Sequence, residues 1–225
     1  MDTSRNEILI GSDGQQKLAR AAVTIVGTGG VGGAVALLLC RAGVGRFRLI
    51  DFDKVSPSNI NRQVVAFPET IGENKVDVLK KIINKINPDA KVDAICQRVC
   101  GDNLHNLFEG GSSEIVIDAI DSVSDKLELI VFCKQSGKYI ISAMGAGNRF
   151  DIPNFQLTDI FKTHDDGLAK IVRKKLREKG IQSLDVVTSF SKPIKSQGVV
   201  GSISYYPVAC ATVLAAAVVN RIISN

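Results

Sequence analysis

Short apolar runs alternate with amphipathic stretches along the first two thirds of the chain. Residues 23–26 (VTIV) are rich in β-branched side chains and stop at Gly27, which predicts a buried strand. Residues 15–21 predict a short helix leading into it, and AVALLLCRAG predicts an apolar helix ending at Gly43. A second strand is expected over 46–51. Residues 75–87 carry Val76, Leu79, Ile82, Ile83 and Ile86 at helical spacing, and Pro88 stops that helix. Strands over 92–99, 115–120 and 139–142 alternate with helices over 104–108, ahead of Gly110 and Gly111, and over 126–136.

This alternation predicts an α/β fold with a doubly wound, mainly parallel sheet. The strand, glycine-rich turn, helix and strand at its start make it Rossmann-like. Past residue 145 the pattern changes: a strand over 155–159, a basic helix over 168–179, a strand over 186–190, a polar loop over 191–201, then an apolar stretch over 206–219. A partly antiparallel C-terminal portion and a C-terminal helix are expected. Without repeats or a long linker, residues 1–225 read as one domain, with a nucleotide-binding part at about 20–145 and a substrate-binding part at 146–225.

Composition narrows the partners. The fractions of hydrophobic (45%) and charged (23%) residues are those of an ordinary globular protein, and 5% aromatics with no Trp argue against a stacking platform for single-stranded nucleic acid. A net charge of +5 is compatible with a polyanion without selecting one. The five cysteines are irregularly spaced, which points to a reducing, cytoplasmic setting without disulfides. Only Cys96 and Cys100 are close, and no second pair completes a zinc site. The polar N-terminal segment is not expected to be a signal peptide, and 206–219 is too short for a membrane span, so it is expected to pack as a buried helix.

The chemistry begins at GTGGVGG. Gly27, Gly29, Gly30, Gly32 and Gly33 allow a tight turn and close approach of backbone to a phosphate, and the helix N-terminus that follows offers N–H groups to an anion. Asp51, about twenty residues on, stands where an acid grips ribose hydroxyls. The segment DFDKVSPSNINRQ then places Ser58, Asn59 and Arg62 in one polar loop, with Lys75 beyond it. Cations and polar groups just past the ribose acid suit a triphosphate better than a dinucleotide.

GTGGVGG, DFDKVSPSNINRQ, IGENK and DAIDS together resemble the adenylating domain of ubiquitin-activating-enzyme-like (ThiF/MoeB-type) proteins, over about Arg5 to the C-terminus. The resemblance implies ATP and Mg2+ and a catalytic set of Arg5, Arg62, Lys75 and Asp121. Asp51 would bind the ribose, and Ser58, Asn59, Arg62 and Lys75 the triphosphate. Asp121, next to Ser122 in DAIDS, would place the magnesium ion. Arg5 resembles an arginine supplied across a homodimer. Whether a monovalent cation also binds is left open.

DAIDSVSDK, AMGAGNRFD, LTDIFKTHDDGLAK and IVRKKLR further resemble tRNA threonylcarbamoyladenosine dehydratases, with Gly167 where that family often has Pro. This implies ATP-dependent cyclisation of threonylcarbamoyladenosine in tRNA. The alternative is an adenylyltransferase for the C-terminus of a ubiquitin-like or sulfur-carrier protein, disfavoured by the missing CxxC pairs. Lys170, Arg173, Lys174, Lys175 and Arg177, with Lys162 nearby, would dock tRNA phosphates. A solvated helix face is the plainer reading of such a charge run. His105 and His164 are isolated and are not expected to be catalysts.

Overall fold

The computed structural model describes residues 1–109, 115–195 and 198–224. The expected stop at Gly110 and Gly111, and residues 196–197 of the polar loop, lie outside the described residues. Seven strands form one sheet in the order β3-β2-β1-β4-β5-β7-β6. They are β1 (Ala22–Val26), β2 (Arg46–Ile50), β3 (Lys91–Ile95), β4 (Ile115–Asp118), β5 (Tyr139–Ala143), β6 (Phe155–Asp159) and β7 (Asp185–Ser189). All neighbours run parallel except β6 against β7. The expected architecture is therefore observed, with the antiparallel pair confined to the C-terminal part.

Helices cover both faces: α1 (Ser4–Arg20), α2 (Gly30–Ala42), α3 (Lys75–Ile86), α4 (Leu104–Phe108), α5 (Val123–Gln135), α6 (Gly167–Glu178) and α7 (Tyr205–Ser224). Strand periodicity sorts the core between them. Ile25, Leu49 and Ile117 point to the face that buries Leu18, Leu39, Leu79, Leu214 and Val218. Val26, Ile50 and Val116 point to the other, with Leu129, Ile130, Val172 and Leu176.

Four expectations are corrected. The first helix begins at Ser4, not at residue 15. It is bent at Gly11, whose φ of 71° and ψ of 168° are not helical. The third strand ends at Ile95 rather than 99, α5 starts three residues before 126, and the apolar segment is a 20-residue helix. By length and composition α7 could cross a membrane, but here Tyr206, Cys210, Leu214 and Val218 are buried as it packs against α1 and α2.

The topology fixes where a ligand can sit. β1 lies between β2 and β4, so successive connections leave it in opposite directions and open a crevice at the strands' C-terminal ends. Register brings Val26, Ile50, Asp118 and Ser142 side by side along that edge.

Candidate active site

A cavity of about 500 Å3 occupies this crevice. Gly27, Gly29, Gly30, Asp51, Arg62, Lys75 and Asp121 all line it, so residues up to 94 positions apart in sequence meet around one space. Its far wall is made by Met144, Gly145, Ala146 and Gly147, beyond β5.

The glycines divide into two kinds. A Cβ on Gly27, whose φ is +86°, would meet the Ala119 carbonyl oxygen at 2.7 Å, and one on Gly32 would lie 1.8 Å from the Gly27 oxygen. Those two allow backbones to touch. Gly32, also expected to meet the nucleotide, stands behind the lining of the cavity. Gly29 and Gly30 do line it, at the start of α2, where no side chain caps the helix. The uncapped N–H groups of α2 are thus available to an anion.

Asp51 is 9% exposed and held from two sides. Its Oδ2 accepts from the Thr28 N–H at 2.6 Å and the Thr28 hydroxyl at 3.0 Å, and its Oδ1 accepts from the Asp53 N–H at 2.9 Å. Thr28, the residue between the first two glycines, was not singled out in the sequence, although its type at that place is the available signal.

The polar loop after β2 folds back on itself. The Val55 N–H donates to the Glu73 carbonyl and the Lys75 N–H to the Asp53 carbonyl. This delivers Lys75, 5% exposed, to an ion pair with Asp53 at 2.7 Å. Arg62 Nη1 donates to the Ser58 carbonyl at 2.8 Å and Asn61 Oδ1 at 2.9 Å, which sets the rest of the guanidinium toward the cavity. Ser58 and Asn59 themselves do not line it. Asn59 Oδ1 accepts from the Ser56 N–H, and the Ser58 hydroxyl bonds that of Ser56, so both shape the loop that carries Arg62. Gln63, also overlooked, lines the cavity, and its buried Oε1 has no partner among the described residues.

Asp121 follows β4 and is exposed at the cavity. The residue that caps α5 is Ser122, without a side-chain cap bond, so Asp121 does not serve as a helix cap. Ser122 does not line the cavity. Asp125 does, and its hydrogen bonds from Arg98, at 2.8 and 3.0 Å, hold its carboxyl below the usual range against the opposing effect of burial. Among the described residues no three His, Cys, Asp or Glu side chains are grouped to hold a metal.

The remaining assignments are scattered. Arg5 is exposed on α1 and does not line the cavity of its own chain. On and near α6, Lys162, Lys170 and Lys174 are exposed, Lys175 pairs with Glu178, and Arg177 lies over the Phe161 ring at 5.3 Å. Arg173 is half-buried, its Nη1 donating to the Thr163 carbonyl at 2.6 Å. His164 pairs with Asp165 and packs on Phe190, away from the cavity.

Known proteins share this fold. Residues 3–223 match the ThiF family. A tRNA threonylcarbamoyladenosine dehydratase of Bacillus subtilis is 42% identical over 85% of this chain and 75% of its own length. That of Escherichia coli is 38% identical over 75% of the chain, which spans 63% of that relative. The E. coli enzyme's crystal structure in complex with ATP superposes with a TM-score of 0.92 at 31% identity, covering 99% of this chain and 93% of the other; a complex with AMP matches equally well. The E. coli sulfur carrier protein ThiS adenylyltransferase is 35% identical over 61% of this chain and 54% of its own length. The chain thus belongs to the ThiF family, in its tRNA threonylcarbamoyladenosine dehydratase group.

Proposed function

We propose that this protein uses ATP to cyclise threonylcarbamoyladenosine in tRNA by adenylating its carboxylate. The observation that carries the reading is the convergence of Arg62, Lys75 and Asp121 on one glycine-lined cavity. Attack of a carboxylate on a phosphate brings two anions together, and fixed cations lower that barrier. The carboxylate oxygen attacks the α-phosphorus and pyrophosphate leaves. The neighbouring carbamoyl group, already in the same molecule, then attacks the activated carbonyl carbon and gives up its N–H proton to solvent, and AMP departs with the former carboxylate oxygen. No enzyme nucleophile is needed.

Asp121 is the residue that would hold Mg2+, which would neutralise phosphate charge as pyrophosphate leaves. One free carboxylate suits this ion, which takes one or two carboxylates together with substrate phosphates. Asp51 binds the ribose, and Gly29, Gly30 and the α2 N-terminus receive phosphate. A monovalent cation has no assigned residues in this reading.

Residues 1–225 act as one adenylating domain in the cytoplasm, as a homodimer. Support for the dimer comes from α1, where Arg5 lies off its own cavity and the neighbouring Ile8 and Leu9 are 75% and 84% exposed. Arg5 completes the partner's site. Lys162, Lys170 and Lys174 contact tRNA phosphates.

The test is incubation of protein, ATP and magnesium with tRNA bearing the linear modification, followed by nucleoside mass spectrometry. Loss of one water in the parent, and its suppression by at least a hundredfold in Asp121→Ala, is the expected result. Product formation by Asp121→Ala at the parent's rate would refute the magnesium assignment. A sulfur-carrier protein offered in parallel should not be adenylated; the described residues contain no CxxC pair of the kind those activators carry.

A further inference from the structure

Arg149 is 6% exposed, and none of the ion pairs among the described residues includes it. A charge taken out of water in this way needs full compensation. Its hydrogen bonds go to backbone carbonyls, and the Asp151 carboxylate is near enough to interact with its charge. Nε donates to the Ser191 carbonyl at 2.8 Å, Nη1 to those of Gly145 at 2.9 Å and Gly147 at 3.3 Å, and Nη2 to that of Asp165 at 3.0 Å.

These carbonyls belong to three separate segments: the chain leaving β5, the turn entering α6 and the chain leaving β7. The first carries the far wall of the cavity. Asp166 fixes the same wall from the other side, its Oδ2 accepting from the Gly145 N–H at 2.8 Å and the Thr188 hydroxyl at 3.0 Å. The backbone it holds is not relaxed: Asn148 has a φ of 57° and Asp165 one of 55°, both in the left-handed region. One planar fork therefore ties together three segments, and the one leaving β5 lines the cavity that the glycine turn also lines.

We propose that Arg149 is a positioning residue for carboxylate activation, holding the wall formed by residues 144–147 at the distance that presents the substrate carboxylate to the α-phosphate. It touches neither nucleotide nor substrate. The inference rests on the dehydratase reading for its substrate, but the clamp can be tested without it. A lysine at this position retains the charge and loses the planar, many-donor geometry.

The test compares the parent with Arg149→Lys and Arg149→Met. It measures amide hydrogen exchange, ATP affinity by calorimetry, and turnover on tRNA with the linear modification. In Arg149→Lys, exchange over 143–150 should rise at least tenfold with residues 22–51 unchanged. ATP affinity should stay within threefold while kcat falls at least tenfold. Arg149→Met should extend the same pattern; should it not fold, Arg149→Lys decides. Unchanged exchange over 143–150, or a kcat within twofold of the parent, overturns the proposal. So does faster exchange spreading through 22–51 with ATP binding lost in step, which marks a general folding role. If the parent forms no cyclic product, the dehydratase reading fails, and the exchange pattern alone upholds or overturns the clamp.

Discussion

Lys126 and Asp118 form an ion pair 2.7 Å long in which neither side chain has any solvent exposure. Lys126 also donates to the Ala143 carbonyl at 3.1 Å, and Asp118 Oδ1 accepts from the Ile120 N–H at 3.0 Å. The pair thus joins the end of β4, the first turn of α5 and the end of β5 beneath the loop that carries Asp121. Removing one partner strands a buried charge. Lys126→Met should lower unfolding free energy by about 3–5 kcal/mol in urea titrations, and adding Asp118→Leu should restore most of it.

Two glycines of one motif should respond differently. Gly32→Ala forces a methyl against the Gly27 carbonyl oxygen and should destabilise the apoprotein by about 1–3 kcal/mol or more. At Gly29 the nearest atom to an added Cβ, outside its chain neighbours, is 3.7 Å away. Gly29→Ala should leave the melting temperature unchanged and weaken ATP binding by roughly tenfold, the worth of one good hydrogen bond. Thermal melts with and without ATP separate the two.

On α6 the exposed lysines carry the prediction. Lys170→Glu with Lys174→Glu should lower tRNA affinity and reduce the salt-dependence slope by about one for each phosphate no longer neutralised. Arg173→Glu should instead perturb the fold locally, because that guanidinium is bonded to Thr163. Filter binding across a salt series, alongside circular dichroism, tells these apart.

The Arg98–Asp125 pair gives a pH signature. Hydrogen bonding from Arg98 depresses the Asp125 pKa in the folded state. Its contribution is complete above the unfolded carboxylate value of about 3.9 and disappears as pH falls through the lower folded value. Parent and Asp125→Asn should therefore differ in stability near neutral pH and converge in strong acid. A difference independent of pH would mean that the pair contributes nothing through ionisation.

Thiol reactivity should follow burial. Burial pushes Cys133 and Cys210 up to about 12 and raises Cys40 as well, so all three should resist maleimide near neutral pH. Cys96 is exposed, 3.9 Å from the Phe52 carbonyl beside the cavity, and should react first. Bound ATP should slow it. Peptide mass spectrometry reads the order directly.

Much of the framework was legible in local pattern. β-branched runs, the turn glycines and Pro88 placed most elements because each is a short-range constraint. The start of α1 was not legible, because its first turns expose Ile8 and Leu9 and are broken by Gly11, leaving no clean apolar stripe. Within the site, Arg62 and Lys75 were legible only in combination with the glycine motif, and Asp121 through the family resemblance. Ser58 and Asn59 came with the polar loop and the same resemblance, and Ser122 with the DAIDS motif; such motifs do not decide which way a side chain turns. Arg149 was invisible for a different reason. Its partners are carbonyls, which every residue possesses, so no residue type announces the contact.

The packing of α7 on α2 orders events during synthesis. The helix that opens with the cavity-lining glycines finds its most extensive helical partner more than 160 positions later in the chain. A nascent polypeptide that has emerged only through β5 would therefore expose the apolar flank of α2. A stall before α7 emerges should yield a species recognised by chaperones rather than a free-standing binding module.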